Sequence, residues 1–319
     1  MSTATTTEER IWAVLSHLSA LAVGIGIALP IVGWSDQRQK SKYVCFQSLQ
    51  ALGYQSLGYT VWALVTAIVT IILAIFLVTT LETAGDETGS SDRRLSVWMT
   101  GFFIFMLSML GIYMVLPGIA VISCALGRDF RYPILGNRLA RYLGYVPGHP
   151  TGEKSLLHED HEFRWVAAMG HFSILIFLWG MLAPLSAWML QGKRSVFLRI
   201  QSIQTLIYQA GTTMLSFLAF FFYLVGLVLL MVGIETIGTQ SFESPFTIYG
   251  LLLFGLLLLV SLLLILLVPS LHILGQWAGY RVLKGDNYRY PLLGRLVERW
   301  TRESRFRESD NLALRGDGT

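Results

Sequence analysis

The stretch CFQSLQALGYQ (residues 45–55) sets Gln47, Gln50, Tyr54 and Gln55 at the mouth of a long apolar run. RIQSIQTLIYQ (residues 199–209) brings back Gln201, Gln204, Tyr208 and Gln209 in the same register. Sliding the chain on itself by 154 residues extends the match upstream. Glu8 meets Glu162, Arg10 meets Arg164, Ala13 meets Ala167, His17 meets His171 and Ser19 meets Ser173. Gly26, Pro30 and Trp34 then meet Gly180, Pro184 and Trp188, giving 17 identities over the 48 positions 8–55. The ends match as well, as RYPILGNRLAR from Arg131 and RYPLLGRLVER from Arg289. Self-similarity at a fixed shift marks a duplicated structural unit. It divides the chain into a first repeat (8–145), a polar linker (146–161), a second repeat (162–300) and a polar C-terminal tail (301–319).

Each repeat reads as three hydrophobic segments, 11–34, 43–81 and 95–127 in the first and 165–190, 196–234 and 246–283 in the second. Of the 319 residues, 54% are hydrophobic and only 14% are charged, against about 25% charged in soluble domains. The fold class is therefore an all-α integral membrane protein of two tandem repeats, each of three hydrophobic helical segments, with interfacial amphipathic helices. A span needs roughly 20 apolar residues, so every segment is long enough. The second segment of each repeat, at ~1.5 Å per residue, runs about 58 Å, nearly twice the ~30 Å hydrocarbon core. Its polar opening, with the two glutamine stripes, must lie along the interface or against other protein.

Of the 24 Lys and Arg residues, 21 gather at Arg38–Lys42, Arg128–Arg164, Lys193–Arg199 and Arg281–Arg315, where they orient helices and do not form a nucleic-acid surface. ETAGDETGSSDRR (82–94) and ETIGTQSFESPF (235–246) carry the acids or no base at all. The positive-inside bias then places the basic loops and C-terminus in the cytoplasm of a bacterial inner membrane. With the clusters at Arg164 and Lys193 on one side, residues 165–190 cannot cross once. They are expected to be re-entrant or packed flat on the bundle, broken near Gly180 and Pro184, and Gly26 and Pro30 offer the same break in the first repeat. Such backbone is tolerated at membrane depth only within protein or around a wet cavity. The competing arrangement is one crossing per segment with inverted repeats. The start MSTATTTEER has no basic n-region, so no cleaved signal is expected.

None of the six segments contains Asp or Glu, and their Lys and Arg are confined to the basic edges. Ion-coupled transport and acid–base catalysis at membrane depth rely on such groups, so both are disfavoured. No matched nucleophile and base, phosphate loop or paired-cysteine zinc spacing occurs, so no catalytic residue and no metal site are assigned. Cys45 and Cys124 read as core thiols on the reducing side. His17 and His171, one per repeat, are the candidate cofactor ligands: as neutral imidazoles they could hold haem or chlorophyll, or glue helices through Ser19 and Ser173. His272 reads as a packing residue. HEDH (158–161) offers His158 and His161 at i, i+3 but reads as solvated linker. The Tyr-Pro elements read as short helices opened by Pro133 and Pro291 and lying on the inner leaflet. Gln47, Gln50 and Tyr54 fall within about 60° of one another on a helix. They form a structural polar stripe docking on the broken first segment near His17, before Pro30, and Gln201, Gln204 and Tyr208 repeat it beside His171.

The ordered set ERIWAVLSHLSAL, YVCFQSLQALGYQ and FRYPILG resembles a bacterial membrane domain family, that of the magnetosome-membrane proteins MamF and MmsF, present here in two copies. Thr205 and Ile207 erode the core motif in the second copy. The resemblance implies no catalytic or binding residue. The family is also distantly similar to the twenty-kilodalton subunit of the chloroplast inner-envelope translocon. The expected function is a non-enzymatic scaffold or accessory subunit, in contact with the lipid bilayer and other membrane protein subunits. A conduit for polypeptide or small solute and a haem or chlorophyll holder are the alternatives.

Overall fold

The computed structural model describes residues 5–83, 88–147, 157–239, 245–291 and 293–301. The middle of the linker, Leu292, the tail from 302 and parts of both acidic or base-free loops lie outside them. The described residues are helical, with no strand. The order is α1 (Thr7–Leu18), α2 (Ala28–Gln37), α3 (Lys42–Thr83), α4 (Thr88–Ala125) and α5 (Leu135–Leu143), then α6 (Glu159–Phe172), α7 (Phe177–Gly180), α8 (Leu182–Gln191), α9 (Val196–Thr239) and α10 (Pro245–Leu283). Residues 293–301 form a last helix, α11.

The first segment of each repeat folds back on itself. Thr6 opens α1 through a capping box with Glu9. After α1 the chain turns through 3₁₀ turns at Ser19–Ala22 and Ile25–Ile27 and returns as α2. Between the two turns Val23 and Gly24 take positive φ, 32° and 87°. The ends of this hairpin meet, since Gln37 Nε2 donates to Glu8 Oε1 at 3.1 Å. Gly26 permits the fold: a Cβ there would lie 1.8 Å from the Ser19 carbonyl oxygen, and at Gly180 2.0 Å from that of Ser173. Pro30 and Pro184 sit in the first turns of α2 and α8, where no helical N–H is required. Five described stretches are long and apolar enough to cross a membrane. One of them, Glu159–Gly180, is mostly buried inside the protein and is broken at Phe177, whose φ is 49°. Both ends of the second hairpin come to one residue, Arg38, which reaches Glu159 (3.0 Å) and Gln191 (3.4 Å). The two first segments are thus hairpins, with each pair of ends on a common side.

The four long helices, α3, α4, α9 and α10, carry the exposed apolar surface, from Val61 to Val78 on α3 and from Leu251 to Leu267 on α10, for example. The first turns of α3 are different. On α3, Val44 to Leu52 are all buried, and the hairpins, α5 and the segment after α4 enclose them. The polar opening therefore packs against protein, one of the two places its length allowed. The core of this base is Trp34, Phe46, Leu49, Leu52, Leu139, Leu143, Trp165, Met169 and their neighbours. Each large side chain buried there contributes about 1.5–3 kcal/mol. α5 starts two residues after Pro133 and turns Leu139 and Leu143 into this core, leaving Arg138 and Arg141 outward. Cys45 and Cys124 are free and buried.

Candidate functional site

On α3, Gln47 and Gln50 lie one helical turn apart and face both α1 and the segment following α4. His17, at the end of α1, places Nε2 2.9 Å from Gln47 Oε1 and Nδ1 3.0 Å from the Tyr132 hydroxyl. An amide oxygen only accepts, so Nε2 carries the proton and Nδ1 accepts from Tyr132. The Gln47 amide nitrogen donates to Asp129 Oδ1 (3.0 Å) and to the Phe130 carbonyl (3.1 Å). Gln50 donates to the same carbonyl (3.0 Å) and accepts from the Tyr132 N–H (3.0 Å). Tyr54 donates to the Tyr113 carbonyl at 2.7 Å. Residue 117, which would normally bond that carbonyl along α4, is a proline without an N–H. The Tyr54 ring stacks on Tyr132 at 4.2 Å.

The second repeat builds the same joint. His171 Nε2 lies 3.1 Å from Gln201 Oε1, and Nδ1 2.9 Å from the Tyr290 hydroxyl. Gln201 donates to Asn287 Oδ1 and the Tyr288 carbonyl, Gln204 donates to the same carbonyl, and Tyr290 N–H donates to Gln204. Tyr208 donates to the Leu271 carbonyl and stacks on Tyr290 at 3.9 Å. Thr205, read from the sequence as an erosion of the motif, instead joins the network, with its hydroxyl 2.9 Å from His171 Nδ1.

The histidines and four glutamines are fully buried. Burial holds the His17 pKa down at about 4, with the Gln47 bond pulling weakly the other way, so the ring is neutral. Burial also raises the Asp129 carboxyl, against the opposing pull of Arg131 and of bonds from Tyr145 and Gln47.

Two sequence expectations change here. The stripe was expected to meet the broken first segment near the carbonyls before Pro30. In the structure Gln47 alone of the three meets it, at His17, and Gln50 and Tyr54 bond the segment after α4 and α4 itself. Gln55, outside the stripe, makes the second link to the hairpin through Ser19 Oγ at 2.9 Å. Both ring nitrogens of His17 and His171, the candidate haem or chlorophyll ligands, are engaged in hydrogen bonds, so a metal there would have to take the place of one of them. HEDH is not simply linker: Glu159–His161 form the first turn of α6, and His161 Nδ1 bonds the Tyr142 carbonyl while its ring stacks on Tyr142 at 4.4 Å. Among the described residues no cluster of three His, Cys, Asp or Glu could hold a metal. His272 bonds the Val268 carbonyl within its own helix.

Sequence reasoning missed the partners supplied by the closing motif, Asp129, Phe130 and Tyr132 in the first repeat and Asn287, Tyr288 and Tyr290 in the second. Their signal was present, since FRYP and YRYP recur at the ends of both repeats. It also missed Arg38, Trp34 and Glu162, which join the two repeats. Trp34 Nε1 donates to Glu162 Oε2 at 2.7 Å, and the Arg38 Nε lies 3.5 Å from the same oxygen. The Arg38 guanidinium also lies over the Phe163 ring at 4.4 Å.

A family model described as the magnetosome magnetite crystal formation protein family (MamF/MmsF) matches residues 8–139 and, a second time, residues 162–297. No curated protein and no solved structure matches the chain.

Proposed function

The chain belongs to the magnetosome magnetite crystal formation protein family, as two tandem copies of its domain, and on that premise we propose that it is a non-enzymatic polytopic protein of a bacterial inner membrane. It serves as a scaffold or accessory subunit of a membrane assembly, with its basic loops and C-terminus on the cytoplasmic side.

The observation that supports this reading is how the polar groups are used. Gln47, Gln50 and His17, with their counterparts Gln201, Gln204 and His171, bond one another and the closing motif, at full burial. A reacting centre needs a titratable or nucleophilic group open to a substrate. These joints are closed, and what they hold in place is a set of long apolar helices. The chain's outward chemistry is thus apolar helix surface and basic loops, the materials of association with lipid and with other membrane subunits. Purification in a mild detergent is expected to bring down further membrane subunits or a multimer in constant ratio. Recovery of the monomer alone, from membranes solubilised without harsh detergent, would overturn the reading.

One observation favours the conduit as a second reading. The hydroxyl oxygens of Ser56 and Thr66 on α3 are shielded and have no hydrogen-bond partner. Shielded hydroxyls at membrane depth suit a path carrying water or a polar solute. Reconstituted vesicles should then leak a small polar dye, and Ser56→Ala with Thr66→Val should reduce the leak; tight vesicles remove this reading.

A further inference from the structure

Beside the exposed face of α5 lies a groove of about 540 Å³ that neither joint uses. Arg131, Asn137, Arg141 and Tyr145 supply its polar groups, with Val146 and Pro147 on its apolar side. Asn137 and Arg141 are four residues apart on α5, so they share one face of the helix. Arg131 Nη1 donates to Asn137 Oδ1 at 3.0 Å and its Nε lies 3.3 Å from Asp129, which fixes the guanidinium at the groove wall. The Asp129 carboxylate facing it is already shared among Arg131, Gln47 and Tyr145. Arg141 is exposed and has no ion-pair partner among the described residues. The groove therefore carries an excess of positive charge.

Its surroundings identify the phase it faces. The exposed apolar wall of α4 runs through Ile119 and Ile122 to Leu126, which is 63% exposed, and Arg128 and Arg131 follow at once. Val146, 59% exposed, lines the groove, and Ile134, 73% exposed, stands in the chain between its Arg131 and Asn137. Ile134 also has φ 64°, an unfavourable backbone for a β-branched residue. The other non-glycine residues with positive φ among those described are Val23 and Phe177, again exposed and apolar, at the tips of the two hairpins. Water gives no return for straining the backbone to display an apolar side chain. Contact with the acyl region of a membrane does.

We infer that this groove binds the phosphate of an anionic phospholipid, with Arg141 and Arg131 on the phosphate oxygens, and Ile134 and Val146 against the first methylenes of its chains. Guanidinium suits phosphate through paired N–H donors. The position where an apolar wall ends in arginines favours a lipid over a free phosphate ion.

The test is titration of the purified full-length protein with phosphatidylglycerol or phosphatidylcholine, read by native mass spectrometry. Arg141→Gln is expected to weaken phosphatidylglycerol binding by roughly tenfold, the scale of one charge-assisted pair, and to leave phosphatidylcholine unchanged. Arg295→Gln removes the same charge from an exposed position on α11 and is expected to change neither. Equal losses in the two variants would mean diffuse attraction and overturn the site. Displacement of the lipid by millimolar inorganic phosphate would overturn the lipid assignment, and its persistence supports it. Arg141→Lys keeps the charge but not the fork. With an unchanged Tm in lipid-free detergent it should show an intermediate loss, and no loss in it or in Arg141→Gln would sink the proposal.

Discussion

Gln47 is employed at both ends of its amide: the oxygen accepts from His17 and Gln50, and the nitrogen reaches Asp129 and Phe130. Leucine is close in size but can do none of this, so Gln47→Leu strands the His17 N–H inside the protein. The expected loss is ~1–3 kcal/mol, the cost of a buried unsatisfied donor, seen as a lower Tm in detergent. Gln201→Leu should behave alike in the second joint. The joints share no residue, so the double variant should add to within about 0.5 kcal/mol. His17 makes a second, pH-dependent expectation. Its folded pKa of about 4 lies below the ordinary 6.5, so the unfolded chain binds the proton more readily between these values. Stability is therefore complete above pH 6.5 and declines as the pH falls toward 4. A Tm series over that range should flatten in His17→Gln relative to the parent. The stripe, the histidines and their pairing were all legible in the sequence, because duplication displayed them twice. Tyr132, 115 residues from His17 in the chain, was not, because no local periodicity encodes a contact at that separation.

At the level of elements, length and charge favoured a folded-back first segment over a single crossing, and required the foot of the long helix to lie along the interface or against other protein. What they left open was how tightly the hairpin closes. A methyl at Gly26 would overlap the Ser19 carbonyl oxygen, which is backbone and cannot swing aside. Gly26→Ala is expected to cost more than ~3 kcal/mol or abolish folded protein, measured as the monodisperse fraction after detergent extraction. Gly111→Ala, where the added methyl meets nothing within 4 Å, should be extracted normally. The orientation of α5 was only half legible. Its sequence marks an amphipathic helix, but an apolar stripe looks the same whether it faces a leaflet or a core. Leu139 and Leu143 face the core.

Across the whole molecule, the repeats are joined partly where they differ. Arg38 aligns with Gly192, Trp165 with Ile11, and Gly53 with Ile207. A search for identities passes over these three, although it returns Trp34, Glu162 and Gln191, which also lie in the interface. The departures were the further signal that could have found it. Arg38→Met leaves Glu162, 2% exposed, without its cation. The expected cost is ~3–5 kcal/mol, with Glu162→Gln on the same background recovering part of it, as judged by Tm. The hairpins also set a topological expectation. Cysteines placed at Lys40 and Lys193 should react with an impermeant thiol reagent from one and the same side of sealed vesicles, and labelling from opposite sides would restore the inverted-repeat arrangement.

Trp165 lies across α3 at Gly53, where any Cβ would fall 2.5 Å from its ring, and its indole N–H donates to the Leu49 carbonyl at 2.9 Å. This lock has a direction in time. A ribosome delivers Tyr132 before Trp165, and domains generally fold N-terminal first during synthesis. The first joint can thus close while the notch above Gly53 is still empty. Until the second hairpin emerges, the nascent protein carries an unfilled slot in the buried foot of α3. Biogenesis of the duplicated chain therefore includes a waiting stage, ended by the arrival of a single tryptophan, during which a chaperone or a stray hydrophobic segment could occupy the slot first.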